Sequence, residues 1–344
     1  MKQLLNTLYV TTQGAYLSKE GDTVLVKVEG ERRLQLPIHT LNGIICFGQV
    51  SASPYLMGLC GERDVALSFL SERGRFLSRV QGPTSGNVLL RREQFRRADD
   101  EKACVAIARE IVSAKLANSR NVLQRALRDR PGGVGNDPIS ESVVHLSHLL
   151  KETRRERFTL DTLRGWEGEA ARSYFSVFDY LITQQKEPFC FTRRSRRPPL
   201  DNINALLSFV YTLIAHEMSG ALESAGLDPQ VGYLHRDRPG RPGLALDLME
   251  ELRAYLGDRL VLSLVNRQQV KAKGFTTTES GAVTMDNDTR KVVLAAYQER
   301  KREEIRHPFL GERIAIGLLP HVQAMLLARH LRGDLDAYPP FVWK

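Results

Sequence analysis

The stretch NVLLRREQFRRADDEKACVAIAREIVSAKLANSRNVLQRALR, residues 87–128, holds neither glycine nor proline and is helix-prone from end to end. Asp99-Asp100-Glu101 places acids where a second helix would begin, a position the helix dipole favours. Everything before this stretch reads differently. Val24, Val26 and Val28 alternate with Leu25 and Lys27, and Leu34, Leu36 and Ile38 repeat the period of two, which predicts strands. Lys19-Glu20-Gly21-Asp22 reads as a turn between two of them. A short helical piece at 54–60 precedes further strands at 65–70 and 76–80, joined across Ser71-Glu72-Arg73-Gly74.

Beyond the quoted stretch, Pro131-Gly132-Gly133-Val134-Gly135-Asn136-Asp137-Pro138 is a clear break. Helical segments are expected at 140–152, 160–185, 201–224, 243–256, 258–271, 287–305 and 312–332, with one β-like interruption over 275–285 around Ser280-Gly281. The expected fold is therefore α+β. A small N-terminal antiparallel β domain (residues 1–86) precedes a larger, mainly α-helical domain (residues 87–344) that would carry the chemistry.

Composition narrows the class. Hydrophobic residues at 42% and charged residues at 26% are ordinary for a folded protein. No run of about 18 apolar residues and no signal-peptide core is present, so a cytoplasmic, membrane-free chain is expected. Four cysteines (Cys46, Cys60, Cys104, Cys190) without a C-x-x-C pair argue against a zinc or disulfide framework. The net charge of +9 favours polyanionic partners, although charge alone also describes a generic basic surface.

Three segments have chemical potential. In Arg164-Gly165-Trp166-Glu167-Gly168-Glu169, helical spacing puts Glu167 on a stripe with Ala171, Tyr174 and Phe178, while Glu169 shares its stripe with Arg172, Ser173 and Ser176. An inward carboxylate needs a partner, either a nearby arginine or a functional cation. Gly232-Tyr233-Leu234-His235-Arg236-Asp237-Arg238-Pro239-Gly240-Arg241 is a loop in which His235 is a ligand, a base or merely exposed. Its Arg236, Arg238 and Arg241 suit phosphate contact. In Leu244-Ala245-Leu246-Asp247-Leu248-Met249-Glu250-Glu251, apolar residues take one helical face and Asp247, Glu250 and Glu251 the other. By itself that acidic face reads as solvated, yet its mutual repulsion invites a divalent cation. A further basic run, Arg193-Arg194-Ser195-Arg196-Arg197, marks a path for phosphates through Arg193, Arg194, Arg196 and Arg197.

Taken together these segments resemble the CRISPR-associated adaptation integrase, the first-numbered of the Cas proteins. The resemblance runs through Gly165-Trp166-Glu167-Gly168 with Ala171-Arg172 and Tyr174-Phe175, and Asp201-Asn202-Ile203-Asn204-Ala205-Leu206-Leu207-Ser208-Phe209. It continues in Gly232-Tyr233-Leu234-His235, the segment 244–251 and Arg259-Leu260-Val261-Leu262-Ser263-Leu264-Val265-Asn266-Arg267. Leu41-Asn42-Gly43-Ile44-Ile45-Cys46-Phe47-Gly48 extends it into the N-terminal part. The wording of 240–250 is closest to a type I system of the C subtype.

The resemblance implies a metal-dependent DNA endonuclease and integrase. Glu167, His235 and Glu250 would be both catalytic and metal-binding, with Asp247 beside the metal or in the layer behind it. Some members have aspartate where Glu250 stands. Carboxylates with one imidazole suit Mg²⁺ or Mn²⁺, the nitrogen donor favouring Mn²⁺. The implied partners are double-stranded DNA (protospacer and repeat), a second copy in a homodimer held by the β domain, and the second-numbered Cas protein in a hetero-hexamer. The rival readings are a stand-alone metal nuclease acting on branched or single-stranded DNA, and a non-catalytic DNA-binding scaffold.

Overall fold

The computed structural model describes residues 6–63, 65–72, 76–80, 82, 88–155 and 157–343. The N-terminal residues 1–5, the joint at Arg73-Gly74 and the expected boundary at 86/87 lie outside them.

The N-terminal region contains β1 (Asn6–Val10), β2 (Tyr16–Glu20), β3 (Thr23–Val28), β4 (Glu31–Pro37), β5 (Leu41–Phe47), β6 (Ser51–Ala52), α1 (Pro54–Glu62), β7 (Ala66–Leu70) and β8 (Phe76–Val80). These form two four-stranded sheets, ordered β4-β3-β2-β6 and β1-β5-β7-β8. The expected antiparallel pairing holds for β2-β3-β4 and β7-β8. It fails at β1-β5, β5-β7 and β2-β6, which run parallel, so the sheets are mixed. Strand β5 shows the cause. Ile44 and Cys46 face the core between the two sheets, where Leu17, Val24, Leu56 and Leu67 also pack. Ile45 and Phe47 face the other way, into the core of the helices. A strand covered on both sides reads as an unbroken apolar run, which is the mark of parallel pairing.

The larger region is built on α2 (Val88–Asp99), α3 (Glu101–Asp129), α4 (Asn136–Glu152), α5 (Leu160–Ser176), α6 (Asn202–Ser224) and α7 (Gly243–Leu252). A π-helical turn, Arg253–Asp258, leads into α8 (Arg259–Asn266). The hairpin β9 (Phe275–Thr277) and β10 (Val283–Met285) occupies the expected β interruption. Then come α9 (Asn287–Arg302), the small pair β11 (Glu304–Arg306) and β12 (Arg313–Ala315), and α10 (Leu319–Leu331). The expected helix from 312 thus starts later, because its first residues pair with β11. Asp100 caps α3 by accepting from the Lys102 amide at 2.9 Å, as the acid cluster at 99–101 predicted. Helix α6 is long and apolar enough to cross a membrane, but 67% of that window is buried inside the protein. It is the central helix of the core, with α7 and α10 packed on it. Cys46, Cys60 and Cys104 are buried and Cys190 is exposed, all as free thiols.

Candidate functional site

The three acids of α7 are not on a solvated face. Asp247 and Glu251 are fully buried and Glu250 is 2% exposed, because α7 packs against α3, α6 and α10 at once. Burying three carboxylates within two turns is tolerable only if each has its own partners. Each does.

Asp247 grips the loop that precedes α7. One oxygen accepts from the amides of Tyr233 (2.6 Å) and Leu234 (2.9 Å). The other accepts from the His235 amide at 3.0 Å and meets His235 Nδ1 at 2.6 Å. A carboxylate only accepts, so Nδ1 carries a proton and the ring is turned with Nε2 away from Asp247. The approach requires glycine at 232. A Cβ there would stand 2.6 Å from Asp247 Oδ2 and 2.7 Å from the Gly243 carbonyl carbon, closer than real Cβ atoms come. Arg164 holds the same loop from α5, donating to the Leu234 carbonyl at 2.7 Å.

Glu250 is held by two cations. Arg253 reaches Oε1 at 2.9 Å, and Lys115 Nζ lies 2.7 Å from Oε2. Burial alone would raise the Glu250 pKa, but Arg253, Lys115 and His235 outweigh it and bring it to about 2. The carboxylate is therefore ionised at any working pH. Oε2 nevertheless has no well-aligned hydrogen-bond donor, despite being buried. Glu167, on the inward stripe of α5, contacts the same Lys115 ammonium. Two carboxylates from different helices thus converge on one positive group. Of the two partners the sequence left open for Glu167, an arginine or a functional cation, the ion pair is formed, with a lysine of α3 in place of an arginine. Glu169 is more exposed than Glu167 and pairs with His145 at 3.0 Å.

Glu167 and Glu250 are accordingly brought together, and His235 is close enough to act electrostatically on Glu250. Among the described residues no group of three His, Cys, Asp or Glu side chains is already gathered tightly enough to hold a metal ion. The space between the two carboxylates is bridged by Lys115 instead. In kind, the donor set suits a hard divalent cation: two carboxylates from different helices and an imidazole oriented by Asp247.

Sequence reasoning missed Lys115, Arg253 and Asn118. A signal existed for two of them. Lys115 and Asn118 lie on the apolar stripe of α3 with Ile111, Val112 and Val122, all buried, and polar residues on such a stripe demand an explanation.

The basic runs divide. Arg193, Arg196, Arg197, Arg236 and Arg238 are exposed and Arg241 is half-buried. Burial, then Arg238, Arg196 and Arg197, lower the Arg241 pKa, so the two runs, distant in sequence, are electrostatic neighbours. Arg194 departs from its expected place on a phosphate path. Its guanidinium turns inward, donating to Asn204 Oδ1 at 2.6 Å and Ser208 Oγ at 3.1 Å, and lies over the Tyr211 ring.

Comparison with known proteins adds a family. The sequence profile described as CRISPR associated protein Cas1 matches residues 8–299. CRISPR-associated endonuclease Cas1 1 of Chlorobaculum tepidum is 55% identical over 344 residues, covering 100% of both chains. A CAS1 protein from Thermotoga maritima superposes with a TM-score of 0.81 at 23% identity, covering 98% of this chain and 100% of that one. A Cas6-RT-Cas1–Cas2 complex matches with a TM-score of 0.81 at 22% identity, over 98% of this chain and 36% of that chain. The last two likenesses speak for the fold.

Proposed function

The chain belongs to the Cas1 family, and from that premise we propose that it is a metal-dependent DNA integrase of CRISPR adaptation with an associated endonuclease activity. The observation that carries this reading is the convergence of Glu167 and Glu250 on one positive charge, beside a histidine whose ring is oriented by Asp247. Glu167, Glu250 and Nε2 of His235 would hold Mg²⁺ or Mn²⁺. A divalent ion bound there supplies charge neutralisation at the phosphoryl oxygens and lowers the pKa of an attacking or leaving oxygen.

The reaction itself is an exchange of esters. The 3′-hydroxyl of the incoming DNA attacks a phosphodiester at the repeat edge. A new P–O bond forms, the old one breaks, and the proton lost by the nucleophile is matched by one gained at the departing 3′-oxygen. No covalent enzyme intermediate is required. Run in reverse, the step rejoins the repeat strand and releases the incoming DNA; with water as nucleophile it gives nuclease products.

The chain's own residues orient and bind. Asp247 and Arg164 fix the His235 loop, and Arg253 keeps Glu250 ionised. Arg193, Arg196, Arg197, Arg236, Arg238 and Arg241 would offer phosphate contacts, and of these Arg196, Arg197, Arg238 and Arg241 are electrostatic neighbours. Double-stranded DNA is the proposed substrate. The proposed assembly is a homodimer, two of which are bridged by Cas2; partnership with Cas2 is suggested by the Cas6-RT-Cas1–Cas2 complex that shares the fold.

The test is a strand-transfer assay with a short duplex bearing free 3′ ends and a supercoiled plasmid carrying a repeat, in Mn²⁺ or EDTA, with and without Cas2. Glu167→Ala, His235→Ala and Glu250→Ala are expected to abolish metal-dependent joining while DNA binding persists. Wild-type joining rates in all three would overturn the site. Cutting without joining would favour a nuclease, and no metal-dependent reaction would leave a DNA-binding scaffold.

A further inference from the structure

Lys115 sits where the two acidic ligands meet. It is buried at 8% exposure in the middle of α3, and its ammonium contacts Glu167 and, at 2.7 Å, Glu250. Around this point two carboxylates, Glu167 and Glu250, face two cations, Lys115 and Arg253. A divalent ion added between the two carboxylates would meet both resident cations at close range in a largely desolvated space, where like charges repel strongly. That repulsion falls most if one of the resident cations moves away.

The geometry selects which. Arg253 lies across the face of Tyr211 at 4.8 Å and bonds Glu250 Oε1 at 2.9 Å, so its guanidinium is held from two sides. A planar guanidinium held by stacking and hydrogen bonding gives up its place with difficulty. Lys115 is a compact charge on a flexible four-carbon stem, and the Oε2 atom it approaches has no aligned donor.

We propose that Lys115 is the resident counter-cation of the site, holding Glu167 and Glu250 together until a divalent ion displaces its ammonium. The inference rests on the reading that a divalent ion binds at Glu167, His235 and Glu250. It goes beyond that reading in giving the metal-free state a defined occupant and the metal a competitor inside the same chain. Metal affinity is then set by the difference between the two cations, and the ligands never face each other uncompensated.

Two measurements on the full-length protein test it. Calorimetric titration with Mn²⁺ is expected to show Lys115→Met binding at least about tenfold tighter than wild type, since the competitor is gone. Lys115→Gln is expected to do the same, and far-UV circular dichroism checks that both variants are folded. Because removing any nearby positive charge would favour a metal, the second measurement follows the lysine itself. Amine acylation read by mass spectrometry is expected to leave Lys115 protected without metal and to label it with Mn²⁺ present. In Glu250→Gln the addition of Mn²⁺ is expected to cause no increase. Lys115 remaining protected while Mn²⁺ binds the wild type, or variants binding no tighter, overturns the displacement and leaves the metal reading standing. Absence of Mn²⁺ binding in wild type and variants alike overturns both.

Discussion

Asp247 accepts more hydrogen bonds than any neighbouring acid, and none of them comes from a distant cation. Three successive amides, Tyr233, Leu234 and His235, and one imidazole close on its two oxygens. Hydrogen bonds to a buried charge are worth roughly 1.5–3 kcal/mol each, and an orphaned amide costs a similar amount. Asp247→Ala is therefore expected to destabilise the protein by about 3 kcal/mol or more in chemical denaturation. Asp247→Asn keeps the volume but turns an amide donor toward backbone donors, so it should also loosen the loop and weaken strand joining. Unchanged unfolding midpoints in both variants would show that the loop is held by other means. The pairing of His235 with Asp247 illustrates what was legible at this scale. Each residue was named from a motif, but their contact spans a loop of two prolines and two glycines between His235 and Leu244, and no spacing rule predicts such a closure.

At the scale of elements, α7 distributes its three acids among three different parts of the fold. Asp247 serves the loop, Glu250 faces α3 and Arg253, and Glu251 takes the C-terminal segment. The Glu251 oxygens accept from Tyr338 Oη (2.6 Å), the Phe341 amide (2.7 Å) and Gln323 Nε2 (2.8 Å). Asn118, one turn beyond Lys115 on α3, bonds the carbonyls of Glu251 and Phe341 and accepts from the Trp343 amide. The chain end is thus strapped across α3 and α7 behind the site. Burial drives the Glu251 pKa from 4.5 to about 8, against the three donors. A raised folded-state pKa means that the native protein retains a proton which the unfolded chain loses above about 4.5, so this contribution is fully present in acid and is lost as pH rises toward about 8. Thermal melts should accordingly show the wild type losing stability relative to Glu251→Gln between about pH 5 and pH 8; parallel curves would refute the assignment. Binary pattern could not reveal this arrangement. An amphipathic helix with acids on one face looks the same whether that face meets water or a polar interior, and only the other helices decide. Similarly, the alternation in β3 was visible as a strand, while the two-sided burial of β5 and its parallel pairing depend on helices that follow it in the chain.

Across the whole molecule, the net charge of +9 is not evenly useful. Several arginines are consumed internally: Arg194 and Arg253 flank Tyr211, and Arg259 stacks on Trp343 with its guanidinium 4.3 Å from the ring centre. Others pair with acids on the surface, as Arg236 does with Asp161 at 3.0 Å. What remains near the candidate site is the group formed by Arg196, Arg197, Arg238 and Arg241, drawn from two runs about forty residues apart and close enough for mutual repulsion. Such a concentration of like charge is tolerated at a surface and becomes favourable when a phosphate backbone lies across it. If these four arginines contact phosphates, replacing them all with alanine should weaken DNA binding for every sequence tested. The plot of log affinity against log salt should become shallower by about one unit per lost contact, roughly three to four in all. Arg194→Ala provides the internal control, because its guanidinium is already committed to Asn204, Ser208 and Tyr211. It should lower the melting temperature and leave the salt slope near that of the wild type. A salt slope unchanged in the fourfold variant, or one as shallow in Arg194→Ala, would move the DNA path to another face of the protein.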